Sequence, residues 1–234
     1  DLALVERGLV ESRAAARRAI ETGRVTVDGV IRPTPRTRVG EQDSVVVTGG
    51  YVGRGGEKLA AALTKWPYPV RGRRVLDAGA STGGFTQVLL DNGAAQVVAL
   101  DVGRDQLHPS LRHHPKVAVH EGVNLRYVDP QDLGGPFDTL VVDLSFISLC
   151  TVADALARLA SPGAQLLALA KPQFELERGA LTKAGTVRLE TDRLVAIEKV
   201  AACLDQAGFA VLDRMDCPTV GRHGNREVFL WCRR

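Results

Sequence analysis

The chain has 234 residues, of which 45% are hydrophobic and 24% charged, enough for one full-sized globular domain and a small one. No apolar run approaches the roughly 20 residues that a membrane-spanning helix needs, which argues against a chain built from such helices. The net charge of +3 conceals an asymmetry, because residues 1–74 hold 14 basic and 8 acidic residues while the remainder holds 16 and 19. A basic N-terminal part is typical of proteins that bind a polyanion, although an Arg-rich composition produces the same imbalance by chance.

The first 48 residues predict a compact unit of helices and strands. A short helix is expected from Leu2 to about Arg7, and a second helix begins after Ser12, whose hydroxyl suits its N-cap. Asp28-Gly29 is a strong hairpin signal between two short apolar runs. The strands expected in this unit cover residues 24–27, 30–31 and 43–47.

Arginine lines one side of the second predicted helix. At about 100° per residue, Arg13, Arg17 and Arg24 project within about 40° of one another, and Arg18 lies in the same helix. Guanidinium groups bind phosphate bidentately, so these residues, with Arg54 further along the chain, are candidate contacts to a nucleic-acid backbone. A solvated helix face is the alternative interpretation.

The N-terminal unit resembles an S4 domain, an RNA-binding module of ribosomal proteins and RNA-modifying enzymes. The resemblance rests on the pattern Leu4-Val5-x-x-Gly8-Leu9-x-x-Ser12-Arg13-x-x-Ala16-x-x-x-Ile20-x-x-Gly23-x-Val25-x-Val27-x-Gly29. It implies that residues 1–48 bind RNA. Residues 49–56 read Gly-Gly-Tyr-Val-Gly-Arg-Gly-Gly and are expected to form a glycine-rich linker.

From residue 57 onward, apolar strand-like runs alternate with helix-like runs. The strands are expected at residues 74–77, 96–101, 117–120, 139–143, 165–170, 209–214 and 228–231, and the longest helix at 189–207. This alternation predicts an α/β fold with a doubly wound, seven-stranded and mostly parallel sheet. The last two strands have no helix between them, which favours a closing hairpin.

Residues 75–85 read VLDAGASTGGF and predict a strand, a glycine-rich turn and the start of a helix. This order is typical of a parallel strand that ends at a ligand crevice. Ser81 stands where a dinucleotide-binding G-x-G-x-x-G needs glycine, so that the pyrophosphate can approach the backbone. A nucleoside cofactor without a pyrophosphate fits better. S-adenosyl-L-methionine is the first candidate, and it would make the chain a methyltransferase with the class I, Rossmann-like fold.

Several residues near this crevice are candidate cofactor contacts. Asp101 ends the next strand, about 20 residues after the turn, where its carboxylate can accept hydrogen bonds from both ribose hydroxyls; a plain turn residue is the alternative. Asp77 is expected to hold the amino group of the cofactor or the turn itself, and Asn124 to meet the adenine amine. The full set of expected contacts is Asp77, Gly79, Ser81, Gly83, Phe85, Asp101, Asn124 and Asp143.

Four charged residues occupy places where charge is uncommon without a partner or a function. Asp143 and Lys171 each follow an apolar strand, Lys58 follows the glycine-rich segment, and Glu227 precedes the last strand. Each has an ordinary interpretation alone, such as a surface lysine or an edge-strand charge. Together with the cofactor turn they indicate a catalytic group.

The combination resembles the FtsJ-type (RrmJ-like) ribose 2′-O-methyltransferases, which use a Lys-Asp-Lys-Glu tetrad. It is closer still to the TlyA, or hemolysin A, family, which joins an S4 domain to such a catalytic domain, here residues 57–234. The stretches that carry the resemblance are GRGGEKL at 53–59, DAGASTGGFT at 77–86, DLSFIS at 143–148 and KPQFE at 171–175. The resemblance implies that Lys58, Asp143, Lys171 and Glu227 are the tetrad. It also implies that the substrate is a cytidine ribose in 16S or 23S ribosomal RNA, free or within a ribosomal subunit.

The residue types suit that chemistry. A ribose 2′-hydroxyl attacks only when its proton is removed or strongly hydrogen-bonded, and a lysine is a base only as the neutral amine, a state favoured by burial beside a second cation. Lys171 is the expected base and Lys58 the neighbouring cation, while Asp143 and Glu227 orient the ammonium groups and the hydroxyl. We expect neither a metal nor a membrane to take part.

Three alternatives remain open from the sequence. They are a membrane-active hemolysin, an S4 RNA-binding factor whose catalytic domain is inactive, and a small-molecule methyltransferase. The cysteines bear on the cellular compartment. Cys150, Cys203, Cys217 and Cys232 show neither a C-x-x-C pair nor zinc-ligand spacing, and they are predicted to be reduced thiols of a cytoplasmic protein.

Overall fold

The computed structural model describes residues 1–21, 24–28, 30–31, 34, 36–47, 50–221 and 224–234, with only the backbone of Arg18 and Ile31. Gly23 and Gly29 of the S4 pattern, and the predicted domain end at residues 48–49, lie outside the described residues. The chain forms two compact units, Asp1–Gly50 and Tyr51–Arg234.

The first unit pairs two helices with a three-stranded sheet. Its elements are α1 (Leu2–Glu6), α2 (Arg13–Glu21), β1 (Val25–Val27), β2 (Val30–Ile31) and β3 (Val45–Val47), with β1 in the centre and antiparallel to both neighbours. The predicted N-cap is confirmed, since the Ala15 amide donates to the Ser12 hydroxyl at 3.2 Å. Leu4, Ala16 and Ile20 form the centre of a small core between the helices and the sheet.

The second unit is built around a seven-stranded sheet. Its strands are β4 (Arg74–Ala78), β5 (Gln96–Asp101), β6 (Val117–Glu121), β7 (Phe137–Val142), β8 (Ala160–Ala170), β9 (Ala210–Asp216) and β10 (Val228–Arg233). Its helices are α3 (Arg54–Lys65), α4 (Gly84–Asp91), α5 (Pro109–Arg112), α6 (Leu149–Leu159) and α7 (Glu190–Gln206). Short 3₁₀ turns lie at Pro130–Leu133, Pro172–Phe174 and Arg178–Ala180.

The strand order is β6-β5-β4-β7-β8-β10-β9. Strands β4 to β8 are parallel, and β10 runs antiparallel to both β8 and β9. The predicted doubly wound, mostly parallel sheet with a closing hairpin is therefore confirmed. The chain order crosses over at β4, and ligand crevices in such sheets open at the carboxyl ends of the strands beside that point.

Helices cover both faces of the sheet. Val75 of β4 packs with α3 and α4, while its neighbour Leu76 packs with α6 and α7, and both side chains are fully buried. Because successive strand residues point to opposite faces, a strand covered on both sides is apolar throughout. Burial of each such side chain contributes about 1.5–3 kcal/mol, which holds the strand ends in place around the crevice.

The helix α3 begins at Arg54, so the last three residues of the predicted linker form its first turn. Its glycines serve close packing. A Cβ at Gly56 would overlap the ring of Tyr51, and one at Gly55 would lie 3.3 Å from the Phe85 ring. This packing brings the following turn of α3, with Lys58, against the sheet.

The cysteine prediction is wrong for two of the four residues. Cys150 in the first turn of α6 and Cys203 in α7 form a disulfide, with their Cα atoms 5.2 Å apart. The pairing arises because α6 and α7 pack side by side on one face of the sheet, so residues 53 positions apart become neighbours. Cys217 and Cys232 are free thiols.

Candidate active site

The glycine turn links the ends of β4, β5 and β7. Gly79 has a φ of +90°, and its amide donates to the Leu100 carbonyl at 2.8 Å. A Cβ at Gly79 would overlap the backbone carbonyl of Asp143, so only glycine permits this approach of the turn to the end of β7. Gly83 caps α4 with a φ of +96°, and a side chain there would meet Leu107 and Leu111.

The side chain of Asp101 ties the turn to the loop that follows β5. One carboxylate oxygen accepts from the Ser81 amide at 2.8 Å and the other from the Gly103 amide at 2.7 Å. Asp101 is thus a turn-holding residue in this structure, and each oxygen keeps one lone pair for a further donor such as a ribose hydroxyl. Both interpretations of Asp101 drawn from the sequence are compatible with that geometry.

Asp77 is fully buried at the end of β4. Its Oδ2 accepts from the Thr86 hydroxyl at 2.6 Å, and its Oδ1 has no hydrogen-bond partner among the described residues. Burial raises the pKa of this carboxyl to about 7, and the charges of Asp143 and Asp101 add to the rise. A buried, unpartnered carboxylate oxygen beside the glycine turn matches a cationic group such as the amino group of a methionine.

The remaining expected cofactor contacts are placed less favourably. Phe85 is buried against Phe229, with ring centroids 6.2 Å apart, so only its backbone is available to a ligand. Asn124 is exposed, and its side-chain oxygen already accepts from the Arg126 amide at 3.0 Å. An adenine amine would therefore have to donate to the second lone pair of the Asn124 oxygen.

The four residues of the expected tetrad form two ion pairs. Lys58 Nζ lies 2.5 Å from Glu227 Oε2, and Lys171 Nζ lies 2.6 Å from Asp143 Oδ1. Both lysines are 8% exposed and Glu227 is 3% exposed, so the pairs are largely removed from solvent. Buried charges of this kind are stable only when paired.

The sheet register explains how these residues meet. Val228 of β10 is opposite Ala170 of β8, so Glu227 and Lys171 stand next to this pair at the same end of the sheet. Asp143 follows β7 directly, and its amide donates to the Ala78 carbonyl at 3.0 Å. The four residues therefore lie beside the glycine turn, because the carboxyl ends of β4, β7 and β8 lie side by side at the same end of the sheet.

Three residues that the sequence analysis did not select complete the surroundings. The Ser145 hydroxyl lies 2.8 Å from Lys171 Nζ. Glu175, 6% exposed, accepts from the Leu149 amide at 2.8 Å and from the Ser148 hydroxyl, and so anchors the start of α6. Ser145 lies in the stretch DLSFIS and Glu175 in KPQFE, and neither stretch shows in its sequence which residues these side chains contact.

Phe146 is the third of these residues. It is 85% exposed, has a φ of +64°, and packs against Phe174 with ring centroids 5.2 Å apart. A bulky residue with positive φ is uncommon and is found at functional sites. Because Phe146 and Phe174 each lie three residues after a tetrad member, an aromatic surface stands at the rim of the site.

The candidate RNA-binding arginines of the first unit are only partly brought together. Arg13 and Arg17 converge on Asp1 Oδ2 at 3.2 and 3.1 Å, with 59% and 57% of their side chains exposed. Arg24 follows the end of α2, and its guanidinium lies next to Gly50, so it does not extend the helical stripe. The side chain of Arg18 lies outside the described residues, and Arg54 is an exposed first residue of α3 in the second unit.

In the part of the chain that the structure describes, no group of three or more His, Cys, Asp or Glu side chains is arranged to hold a metal ion. Among the same residues, no helix is both long and apolar enough to cross a membrane.

The raised pKa of Asp77 makes stability depend on pH. Between the unfolded pKa of 3.8 and the folded pKa of about 7, the folded protein keeps a proton that the unfolded chain has lost, so the free energy of unfolding falls as pH rises. We expect this fall to be roughly 3 kcal/mol between about pH 5 and pH 8, and Asp77→Asn to remove it. Urea unfolding of both proteins at the two pH values measures the difference, and equal pH slopes would contradict the assignment.

Comparison with known proteins gives consistent matches. Residues 51–234 match the FtsJ-like methyltransferase family, and residues 1–45 match the S4 domain. The chain is 44% identical to a Mycobacterium tuberculosis protein named 16S/23S rRNA (cytidine-2′-O)-methyltransferase TlyA, over 100% of this chain and 88% of that relative.

Solved structures agree with the fold. A putative hemolysin from Streptococcus thermophilus is 36% identical, with a TM-score of 0.77, over 100% of this chain and 86% of that one. An S-adenosylmethionine-dependent methyltransferase from Mesorhizobium loti is 19% identical, with a TM-score of 0.57, over 76% of this chain and 98% of that one. The second likeness supports the fold alone.

Proposed function

Because this chain belongs to the FtsJ-like methyltransferase family, with an S4 domain before the catalytic domain, we propose that it methylates ribose 2′-hydroxyls of ribosomal RNA with S-adenosyl-L-methionine as methyl donor. The finer assignment is to a cytidine in 16S or 23S RNA, as in the name of the Mycobacterium tuberculosis relative. The observation that supports the proposal most is the pair of buried Lys–carboxylate contacts beside the glycine turn.

The residues around the turn suit S-adenosyl-L-methionine. The unpartnered oxygen of Asp77 suits the cationic amino group, and the free lone pairs of Asp101 suit the ribose hydroxyls. When bound, the cofactor supplies a sulfonium-activated methyl group. Gly79 and Gly83, where a side chain would collide with Asp143 or with Leu107 and Leu111, let the turn keep its conformation beside the crevice.

The tetrad suits proton removal from a ribose hydroxyl. We propose that Lys171 takes up the 2′-hydroxyl proton and that Asp143, at 2.6 Å, stabilises the ammonium that results. With the cofactor held at the turn, the oxygen freed of its proton by Lys171 would be the atom that receives the methyl group. The ammonium of Lys58, held by Glu227, stabilises the negative charge that develops on the oxygen. Ser145 fixes the direction of the Lys171 amine.

Part of the RNA affinity is assigned to the first unit. Arg13 and Arg17 already converge on one carboxylate oxygen, which is the arrangement that an RNA phosphate oxygen would require. Such contacts supply affinity that depends on salt and carry little sequence choice. Arg18, Arg24 and Arg54 remain proposed RNA contacts of secondary weight.

Replacing both Arg13 and Arg17 with glutamine is therefore expected to weaken RNA binding about tenfold or more and to reduce the salt dependence by about two ion equivalents. The matched control replaces both Arg36 and Arg38 with glutamine, which removes the same two charges from exposed residues of the same unit. Filter binding or anisotropy with a ribosomal RNA fragment at several salt concentrations measures both effects. An equal loss in the control would show that only net charge matters.

The function itself is tested by mapping ribose methylation. Ribosomal subunits from cells that lack the protein are incubated with the purified protein and labelled S-adenosyl-L-methionine, and the modified nucleotides are located by their resistance to alkaline cleavage. Methylation at one or a few cytidines supports the proposal. Label only in the base, or in no RNA at all, would refute it.

The same preparation separates the alternatives. An RNA-binding factor with an inactive catalytic domain binds RNA but gives no calorimetric signal with S-adenosylhomocysteine. A membrane-active hemolysin releases dye from lipid vesicles even when Lys171 is replaced. A small-molecule methyltransferase binds the cofactor but leaves RNA unlabelled.

A ribosomal RNA substrate implies that the protein works in the cytoplasm, and we propose that location. The Cys150–Cys203 disulfide is the observation that weighs against it, because disulfides are rare in reducing compartments. Thiol labelling of protein extracted rapidly from cells determines which form is present.

A further inference from the structure

The loop that follows β5, residues 102–108, forms one wall of the crevice beside the glycine turn. The His108 amide donates to the Thr82 carbonyl of the turn at 3.1 Å, and the Ser81 hydroxyl lies 3.3 Å from Gln106 Oε1. Leu107, 4% exposed, lies where a side chain at Gly83 would collide with it. The β5–α5 loop therefore rests directly on the turn.

A single carboxylate holds this loop. Glu121, the last residue of β6, accepts from the amides of Asp105, Gln106 and Leu107 at 2.8, 3.1 and 3.1 Å. Arg112 at the end of α5 donates to both oxygens of the same carboxylate at 2.8 and 2.7 Å. Three consecutive backbone amides and a guanidinium thus converge on one side chain that is 12% exposed.

The loop needs this support because its own conformation is unfavourable. Asp105 has a φ of +56°, a region that non-glycine residues adopt at a cost. The Arg112 guanidinium, together with the three amides, holds the pKa of Glu121 down at about 2. The carboxylate therefore remains charged, and its hydrogen bonds remain strong, at every pH at which the enzyme is expected to work.

The wall includes the residue proposed to bind the cofactor ribose. Asp101 is bonded on one side to Ser81 of the turn and on the other to Gly103 of the loop, so a displacement of the loop changes the position of its carboxylate. Gly103 is also bonded across to β6, since its carbonyl accepts from the Gly122 amide at 2.9 Å. Loop, turn and the end of β6 form one hydrogen-bonded assembly.

We propose that Glu121 is a positioning residue for the cofactor: by holding residues 105–107, it keeps the β5–α5 loop and Asp101 in the arrangement that binds S-adenosyl-L-methionine. The inference rests on the proposed use of that cofactor. Glu121 acts through the backbone of the loop and has no contact of its own with the ligand. Its contacts are already filled by four donors of the chain.

The test is Glu121→Gln, which keeps the shape of the side chain but replaces one accepting oxygen with a donor that opposes Arg112 or an amide. We expect the affinity for S-adenosylhomocysteine, measured by calorimetry without RNA, to fall about tenfold or more. With RNA substrate, KM for S-adenosyl-L-methionine should rise by the same factor while kcat changes less than about twofold. The matched control is Glu198→Gln, which removes the carboxylate paired with Arg214 between α7 and β9, at the opposite edge of the sheet.

A second readout needs no cofactor. Arg104 is exposed, and release of the loop frees its backbone to fit the trypsin active site. The folded Glu121→Gln protein should therefore be cut there about tenfold faster than the unaltered protein, and Glu198→Gln should not. If the unaltered protein fails to bind S-adenosylhomocysteine, the proposed function fails, while this cleavage still tests whether Glu121 holds the loop. If Glu121→Gln does not fold, Arg112→Gln is used instead. It removes only one of the four donors, so we expect the affinity to fall and the cleavage rate to rise severalfold rather than tenfold. Unchanged affinity and cleavage in a folded variant, or equal changes in Glu198→Gln, would overturn the inference.

Discussion

Lys171→Ala is expected to lower the rate of methyl transfer to ribosomal RNA on the order of 10³-fold, while S-adenosylhomocysteine binds as before. The physical reason is that the amine proposed to take the hydroxyl proton is lost, whereas Asp77 and Asp101, proposed to hold the amino group and the ribose of the cofactor, keep the hydrogen bonds that fix them. Single-turnover rates with ribosomal subunits and calorimetry with S-adenosylhomocysteine provide the two measurements. Lys116→Ala is the control, since Lys116 is an exposed residue just before β6.

Lys171→Arg separates a base from a fixed charge. A guanidinium stays protonated at every accessible pH, so it preserves the ion pair with Asp143 but cannot accept a proton. If Lys171 acts as the base, arginine restores no activity. Substantial activity in Lys171→Arg would mean that this residue contributes only charge, and the proton would then have to go elsewhere.

Gly79→Ala is expected to destabilise the second unit by about 3 kcal/mol and to abolish cofactor binding. Alanine at positive φ costs about 1–2 kcal/mol, and the overlap of its Cβ with the Asp143 carbonyl adds about 1–3 kcal/mol of overpacking. Because the overlap pushes apart the ends of β4 and β7, the glycine turn and Asp143 both move. Denaturant unfolding and calorimetry measure the two consequences.

Gly163→Ala is the matched control for that substitution. Gly163 has a φ of +79°, but a Cβ there meets nothing within 4 Å. It should therefore show only the backbone cost of about 1–2 kcal/mol and retain cofactor binding. A Gly79→Ala protein as stable as the control would mean that the turn tolerates a side chain, and the close approach to Asp143 would lose its significance.

Much of the fold could be predicted from local patterns. The seven predicted strands of the second unit match observed strands, and the helix predicted at residues 189–207 is Glu190–Gln206. Alternation of apolar strand and helix runs is a local property, because each element must bury its own face or stripe. Residues 54–56 were predicted as part of the linker, but they form the first turn of α3. Glycines that permit close packing cannot be told from glycines that permit flexibility in a sequence.

The candidate site was predicted less completely. Each tetrad residue stands out in the sequence as a charge at the end of an apolar run, and the glycine turn is visible from its spacing. Phe85 was selected for its place in that turn, but its side chain packs in the core against Phe229. The hydrogen bonds from the β5–α5 loop to Glu121 could not be predicted from the sequence, because backbone amides at residues 105–107 can be bound by any carboxylate that the fold brings near.

The amino-acid sequence by itself therefore determined the class of fold, the position of the glycine turn and the family to which the chain belongs. Only the tertiary structure decided which charges pair, since Lys58 and Glu227 are 169 residues apart and meet through the order and register of the strands. The same is true of Cys150 and Cys203, which meet because α6 and α7 cover the same face of the sheet. Local patterns depend on neighbours along the chain, whereas these contacts depend on how the elements pack.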